Sequence, residues 1–330
     1  MKLPILTIVV PCYNEEEVFQ KTYKELKNVL LKLIDEGFIH LNSRILFVDD
    51  GSKDSTWNQI EEAYREDLYV DGLKLSRNFG HQKALLAGLE EAAKHSDCVI
   101  SIDADLQDDV GAIREFVLKY LEGYDIVYGV RKNRSVDTFF KRKTAELFYK
   151  GMEKLGLPLI FNHADYRLMS KKALEVLLQY KETHLFLRGI IALLGFKSTK
   201  VYYDRKERAA GVSKYPLRKM MGLALDGVTS FSIRPIRLIT IVGFITFIVS
   251  ILASAYVFIQ KLSADPVSGW ASIMISLWFI GGLVLMSLGL IGEYIGKIYE
   301  EVKMRPRYTV EERLHHFHPR ERLLKRRVKQ

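Results

Sequence analysis

The sequence predicts an α/β domain built on a mostly parallel sheet, followed by two C-terminal transmembrane helices. Three observations predict it. From Met1 to about Ser232 short apolar runs alternate with amphipathic helical stretches, and the dense polar clusters fall just after the apolar runs. Two later runs of 22 residues, Leu238 to Ile259 and Trp270 to Ile291, hold no Asp, Glu, Lys or Arg. Alternating strands and helices favour a parallel sheet covered by helices, and ligands of such sheets bind beyond the carboxyl ends of the strands.

Strands are expected near Leu6 to Val10, Arg44 to Asp49, Gly72 to Ser76, Cys98 to Asp103 and Ile126 to Gly129. The first runs into Pro11-Cys12-Tyr13-Asn14-Glu15, and the second ends in Asp49-Asp50-Gly51-Ser52, followed by Asp54-Ser55-Thr56. Asn, Asp and Ser before helices are ordinary caps. A cap needs one oxygen, however, and these loops offer several, so Asp50 is a candidate ligand contact.

The fourth strand delivers Asp103-Ala104-Asp105-Leu106-Gln107-Asp108. In extended backbone residues two apart project the same way, which lets Asp103, Asp105 and Gln107 converge their oxygens. Carboxylates that close repel unless a cation is present, and hard oxygen ligands suit Mg2+ or Mn2+ shared with phosphate oxygens. An Asp-x-Asp is a weak pattern by itself; its place after an apolar strand gives it weight.

A helix crossing about 30 Å of hydrocarbon needs about 20 residues, which both uncharged runs supply. The link between them, Gln260 to Gly269, is too short for a domain, and the strand-like opening at Leu6 predicts no cleavable signal peptide. Arg234 and Arg237 precede the first run, a basic segment follows the second, and the link holds only Lys261 against Asp265. A multi-pass protein of the cell membrane is therefore expected, with the large domain and both termini cytoplasmic. Residues 297–330 carry 11 Lys or Arg and 5 Glu, a difference of +6 within a formal net charge of +9. Such a tail is expected against anionic headgroups.

The expected organisation is thus a cytoplasmic domain over 1–232, a membrane hairpin over 233–296 and a basic tail over 297–330. Nucleic acid is excluded as a partner, since the basic excess lies next to the membrane with no reading helix or aromatic platform. Cys12 and Cys98 make no metal spacing and read as reduced core residues. Thr138 to Leu155, apolar at helical spacing with Lys and Arg between, reads as a helix lying in the headgroup plane, and Tyr215 to Leu225 as a second.

The order of elements resembles the inverting, metal-dependent nucleotide-sugar transferases of glycosyltransferase family 2, and within them the polyprenyl-phosphate glycosyltransferases. The residues that carry the resemblance are Pro11 to Glu15, Val48-Asp49-Asp50-Gly51-Ser52, Ser76-Arg77-Asn78-Phe79-Gly80, Asp103 to Gln107, Ala164-Asp165-Tyr166-Arg167-Leu168-Met169, and Arg208 through Gly211-Val212-Ser213-Lys214-Tyr215. Six elements in order, then two spans, are far more specific than any one alone.

The resemblance implies a GT-A type domain whose first two loops, with Pro11, Tyr13, Asn14, Glu15 and Asp50, hold the donor nucleotide, helped by Ser76, Arg77 and Asp103. It implies Mg2+ or Mn2+ on Asp105, with Asp103 and Gln107, bridging the diphosphate. It places Asp165 near the reaction centre, and Arg131, Arg208 and Lys214 around the acceptor phosphate or the donor diphosphate. UDP-glucose or UDP-N-acetylglucosamine is the preferred donor, with GDP-mannose the alternative, and undecaprenyl phosphate the acceptor. A homo-oligomer is compatible with the sequence. Two other functions compete: a processive polysaccharide synthase, against which stand the missing Gln-x-x-Arg-Trp motif and only two spans, and a catalytically silent scaffold, against which stand the intact acidic and basic clusters.

Overall fold

The computed structural model describes residues 3–132, 163–182, 187–204, 234–263 and 269–316. These divide into two compact units, one carrying all the strands and the other two long helices. The interfacial stretches expected at Thr138 to Leu155 and Tyr215 to Leu225 lie outside the described residues.

The first unit alternates as the sequence predicts: β1 (Leu6–Cys12), α1 (Phe19–Asp35), β2 (Arg44–Asp49), α2 (Thr56–Glu66), β3 (Val70–Leu75), α3 (His81–Ala93), β4 (Cys98–Ser101), α4 (Ala112–Leu121) and β5 (Ile126–Arg131). β6 (His163–Ser170), α5 (Lys171–Leu177), α6 (Leu187–Leu193) and β7 (Ser198–Tyr203) follow, and β8 (Val310–Leu314) returns after the long helices. The sheet order is β7-β5-β6-β4-β1-β2-β3-β8. β6 pairs antiparallel with β4 and β5, and β8 antiparallel with β3, while the other pairings are parallel. Six strands therefore run one way, and their carboxyl ends share one edge with the first residues of β6 and β8.

Every residue of β1 is buried, as expected for a strand covered on both faces. On one face Leu6, Ile8, Val10 and Cys12 join Phe19, Leu26, Leu30 and Leu33 of α1, Trp57 and Ile60 of α2, and Phe116 of α4 in one cluster. The buried positions of α1 recur at helical spacing, which sets its amphipathic face. On the other face α3 lies close over β1 and β2. A Cβ added to Gly88 would stand 2.4 Å from a Val9 methyl and 2.7 Å from a Val48 methyl, so only glycine permits that approach. Cys12 and Cys98 are buried free thiols, as expected.

Three strands were not legible in the sequence. β6 and β7 follow a long break in the pattern, and β8 lies inside the segment read from its charge as a basic tail. The structure corrects that reading locally: helix continues to Val302, and residues 310–314 are a sheet edge. Val310 and Leu314 are half-buried there, whereas Glu311, Glu312 and Arg313 face outward. Three consecutive charged residues leave no apolar alternation by which the strand could be recognised.

β8 is fastened by polar contacts from end to end. Ser76 N donates to Thr309 O, Lys74 pairs with Glu311 at 3.1 Å, Tyr64 OH donates to His315 O, and His316 N donates to Asp71 Oδ1. His315 lies 3.5 Å from Asp71 and 3.2 Å from Glu91. Asp71 first and Glu91 second push its pKa up to about 9. Glu91 is drawn down to about 2, chiefly by His315 and also by Lys94, against the opposing effect of burial.

The second unit contains α7 (Arg234–Ser263), of 30 residues, and α8 (Trp270–Val302), of 33. By length and composition, one helical stretch among the described residues, Phe279–Val302, with mean hydropathy 1.7, suits a membrane crossing. At 1.5 Å per residue α8 is about 50 Å long, more than the hydrocarbon layer requires.

The His315 cluster gives stability a pH window. Its folded pKa lies above the ordinary 6.5, so its contribution is complete below about pH 6.5 and is lost as pH rises through 9. Glu91 acts oppositely, contributing fully above about pH 4.5 and losing that contribution as pH falls through 2. His315→Ala is expected to cost about 2 kcal/mol at pH 7, a modest loss for a broken buried pair because Arg44 and Lys94 remain on the two carboxylates. Thermal melting of the detergent-solubilised protein from pH 6 to 10 should show the gap to wild type closing above pH 9.

Candidate active site

The loops after β1, β2 and β3 form one hydrogen-bonded frame at the carboxyl edge of the sheet. Asn14, in left-handed backbone with φ 52°, donates its N–H to Ser52 Oγ, and its side-chain oxygen accepts from Lys53 N, both at 2.9 Å. Glu15 N donates to Thr56 Oγ1, and Ser55 donates N–H and hydroxyl to Glu16. Pro11 is buried within β1, Tyr13 and Glu15 are half-buried, and Asn14 is exposed.

Asp50 is 2% exposed, and its carboxylate accepts from Phe79 N at 2.7 Å and Gly80 N at 2.9 Å. Burial raises its pKa while those amides oppose the rise. Asp50 thus braces the loop after β3, where Ser76 and Arg77 are exposed and the Arg77 guanidinium stacks 4.1 Å from the Phe79 ring. Gly51 is where the loops meet: its φ is +67°, and an added Cβ would lie 2.5 Å from the Arg77 carbonyl carbon.

The acidic loop follows β4, but its geometry is not the expected one. The strand stops at Ser101, Gln107 N donates to Asp105 Oδ1, and Leu106 has φ 54°. A turn, rather than extended backbone, keeps Asp103, Asp105 and Gln107 partly open and Ala104, Leu106 and Asp108 buried. Thr22 of α1 fixes the turn by donating to Ala104 O at 2.7 Å. The Asp103 pKa is pushed up to about 6, first by burial, then, against the opposing pull of His81, by Asp108, Asp165 and Asp105.

Asp165 enters on β6 beside this loop. It is buried, and its carboxylate accepts from Arg167 Nη2, from Arg188 Nε at 3.1 Å and from Arg188 Nη2 at 2.9 Å. Burial opposes ionisation, yet Arg188 and Arg167 together hold the carboxyl well below the usual range. His81 Nε2 stands between the two loops, 3.4 Å from Asp103 and 3.8 Å from Asp165. Arg131 reaches Asp108 at 3.0 Å, and Tyr203 OH donates to the same oxygen at 2.6 Å. Arg208 and Lys214 lie outside the described residues.

The structure therefore gathers Asp103, Asp105, Gln107 and Asp165, holds Asp50 as a brace, and commits Arg131 to an ion pair. His81, Arg188 and Tyr203 were not singled out in the sequence. His81 directly follows the Ser76 to Gly80 motif, a signal that could have found it; Arg188 and Tyr203 carry no local signal. Among the described residues no group of three His, Cys, Asp or Glu side chains is arranged to hold a metal. The donors present nonetheless suit a divalent cation, because such an ion takes one or two carboxylates and completes its shell with phosphate oxygens and water. The mutual repulsion felt by Asp103 is the condition such an ion relieves.

A family model described as Glycosyl transferase family 2 matches residues 7–178, and one described as GtrB C-terminal hairpin matches 234–298. The chain is similar to the protein named uncharacterized glycosyltransferase YkoT of Bacillus subtilis (strain 168), 59% identical over 93% of this chain and 91% of that one. It is also similar to the bactoprenol glucosyl transferase of Shigella phage SfII, 41% identical over 92% of this chain and 97% of that one.

Replacing Gly51 by alanine puts a methyl against backbone that cannot swing aside and imposes positive φ on an L-residue. Gly51→Ala is expected to cost at least about 2 kcal/mol, read as a lowered melting temperature.

Proposed function

We propose a sugar transfer to a polyprenyl phosphate for this chain, which belongs to glycosyl transferase family 2. The observation that carries the proposal is the nearly full-length likeness to bactoprenol glucosyl transferases. Their names also favour a glucose donor, one of the two donors, UDP-glucose and UDP-N-acetylglucosamine, expected from the sequence.

In this reading the donor diphosphate lies over the acidic turn. Asp105 and Asp103, with Gln107, would hold Mg2+ or Mn2+, whose charge stabilises the departing diphosphate. The frame of Tyr13, Asn14 and Glu15, with Asp50 bracing it from behind, lines the nucleotide end, with Arg77 on the next loop. A phosphate oxygen of the lipid attacks the anomeric carbon, the bond to the diphosphate breaks, and the configuration inverts. A phosphate monoester is already anionic near neutral pH, so little deprotonation is needed. Asp165, held ionised by two guanidinium groups, suits orientation of positive charge better than proton abstraction.

The hairpin match and the apolar stretch of α8 support the two-span reading, and the basic residues Arg234 and Arg237 with the basic segment after residue 297 favour a cytoplasmic catalytic unit and termini. β8 adds a constraint that the linear order hides. Because it follows the spans yet completes the sheet, cutting the chain after Ser232 would strip β3 of its antiparallel neighbour. The membrane reading is therefore tested with the whole chain.

The deciding experiment supplies the purified full chain with undecaprenyl phosphate and a panel of isotope-labelled UDP-glucose, UDP-N-acetylglucosamine and GDP-mannose. Labelled lipid is expected with UDP-glucose, and no labelled lipid from any donor would defeat the proposal. Asp105→Asn should lower transfer at least about a hundredfold while the melting temperature stays near wild type, since it removes charge and conserves shape. Near-normal turnover with saturating Mg2+ or Mn2+ would remove the metal role.

A further inference from the structure

We infer that Arg188 binds a substrate phosphoryl group and that Asp165 is its anchor, an assignment that rests on the proposed transfer to a phosphate acceptor. Two guanidinium groups converge on one carboxylate, but they are not equivalent. Arg167 has a side chain 2% exposed, and its Nε and Nη1 are buried without a hydrogen-bond partner, so it contributes charge without access to a ligand. The Arg188 side chain is 36% exposed, and Asp165 grips it through Nε and Nη2 while itself only 8% exposed. A buried carboxylate gripping two of the donors of a solvent-facing guanidinium fixes the plane of that fork, which is the geometry that recognises phosphate oxygens.

The position of Arg188 is set from a second side. It lies in the first turn of α6, where Leu187 N donates to Gln82 Oε1 at 3.1 Å, next to His81 at the start of α3. His81 contacts Asp103 and the same Asp165 oxygen that Arg188 Nη2 contacts, which sets Arg188 beside His81 on the side of the acidic turn. Fixed positive charge is needed there, because an anionic nucleophile must approach a diphosphate near Asp103, Asp105 and Asp108. Arg131, at the end of β5 beside the acidic turn, is only 25% exposed and is held by Asp108 and Tyr203.

The phosphoryl group belongs either to the lipid acceptor or to the donor diphosphate, and steady-state kinetics with binding measurements separate them. The full chain in detergent is assayed with a short-chain polyprenyl phosphate and UDP-glucose, and the affinity of each is measured by calorimetry independently of turnover. Arg188→Gln should raise KM and the dissociation constant at least tenfold for one of the two, naming the source, and Arg188→Lys should recover part of the loss. The single variant leaves Asp165 paired with Arg167, so Arg188→Gln and Arg188→Lys should both melt close to wild type while only the former keeps the full rise in KM. If Arg188→Gln binds both ligands within twofold of wild type, the inference is overturned and Arg188 is a structural counter-ion. A wild-type protein that binds both ligands yet transfers nothing would count against the proposed reaction and leave the Arg188 comparison to binding alone.

Discussion

Four carboxylates, those of Asp103, Asp105, Asp108 and Asp165, are brought to one edge of the sheet, and much of the structure around them answers their mutual repulsion. Asp165 is neutralised by Arg167 and Arg188, Asp108 by Arg131 with a hydroxyl from Tyr203, and His81 stands between Asp103 and Asp165. Asp103 holds its proton more tightly than an ordinary aspartate, first because of burial and then because Asp108, Asp165 and Asp105 outweigh His81 around it. In water such a cluster costs little; against a buried sheet edge each charge needs a partner at contact distance. The residual negative charge is concentrated where a divalent cation and a diphosphate would meet.

That arrangement requires a stiff backbone, since loops free to separate would relax the repulsion by moving apart. The first two loops are cross-linked through Asn14, Ser52, Glu16 and Ser55, and Asp50 ties the third loop by two backbone amides. Gly51 permits the backbones to touch, and Thr22 pins the acidic turn from the helix below. These bonds are made inside the protein, while Asp103, Asp105, Gln107, Arg77, His81 and Arg188 keep part of their surface accessible at the same edge.

β8 applies the same economy at the other side of the sheet. An exposed β3 would present a row of unpaired backbone groups, an edge prone to unwanted pairing. A strand that follows the long helices covers it and locks in place through the His315 cluster. The strand-bearing unit is consequently completed by residues on both sides of the two long helices in the sequence.

The sequence by itself determined whatever depends on neighbours along the chain. Alternating apolar runs placed β1 to β5 within a few residues, two uncharged runs marked the long helices, and the acidic turn was visible as a cluster after a strand. Local periodicity and composition carry that information because each residue is read against those two, three or four positions away. The pairing of partners distant in sequence was decided only in three dimensions. β6 inserts antiparallel between β4 and β5, and Lys74 meets Glu311 from 237 residues away. Arg131, expected at a substrate phosphate, is taken by Asp108, and Arg188, unmarked in its own stretch, arrives at Asp165. A lone arginine looks the same in sequence whether solvent, a carboxylate or a ligand surrounds it; burial and distance, which only the folded chain sets, decide among them.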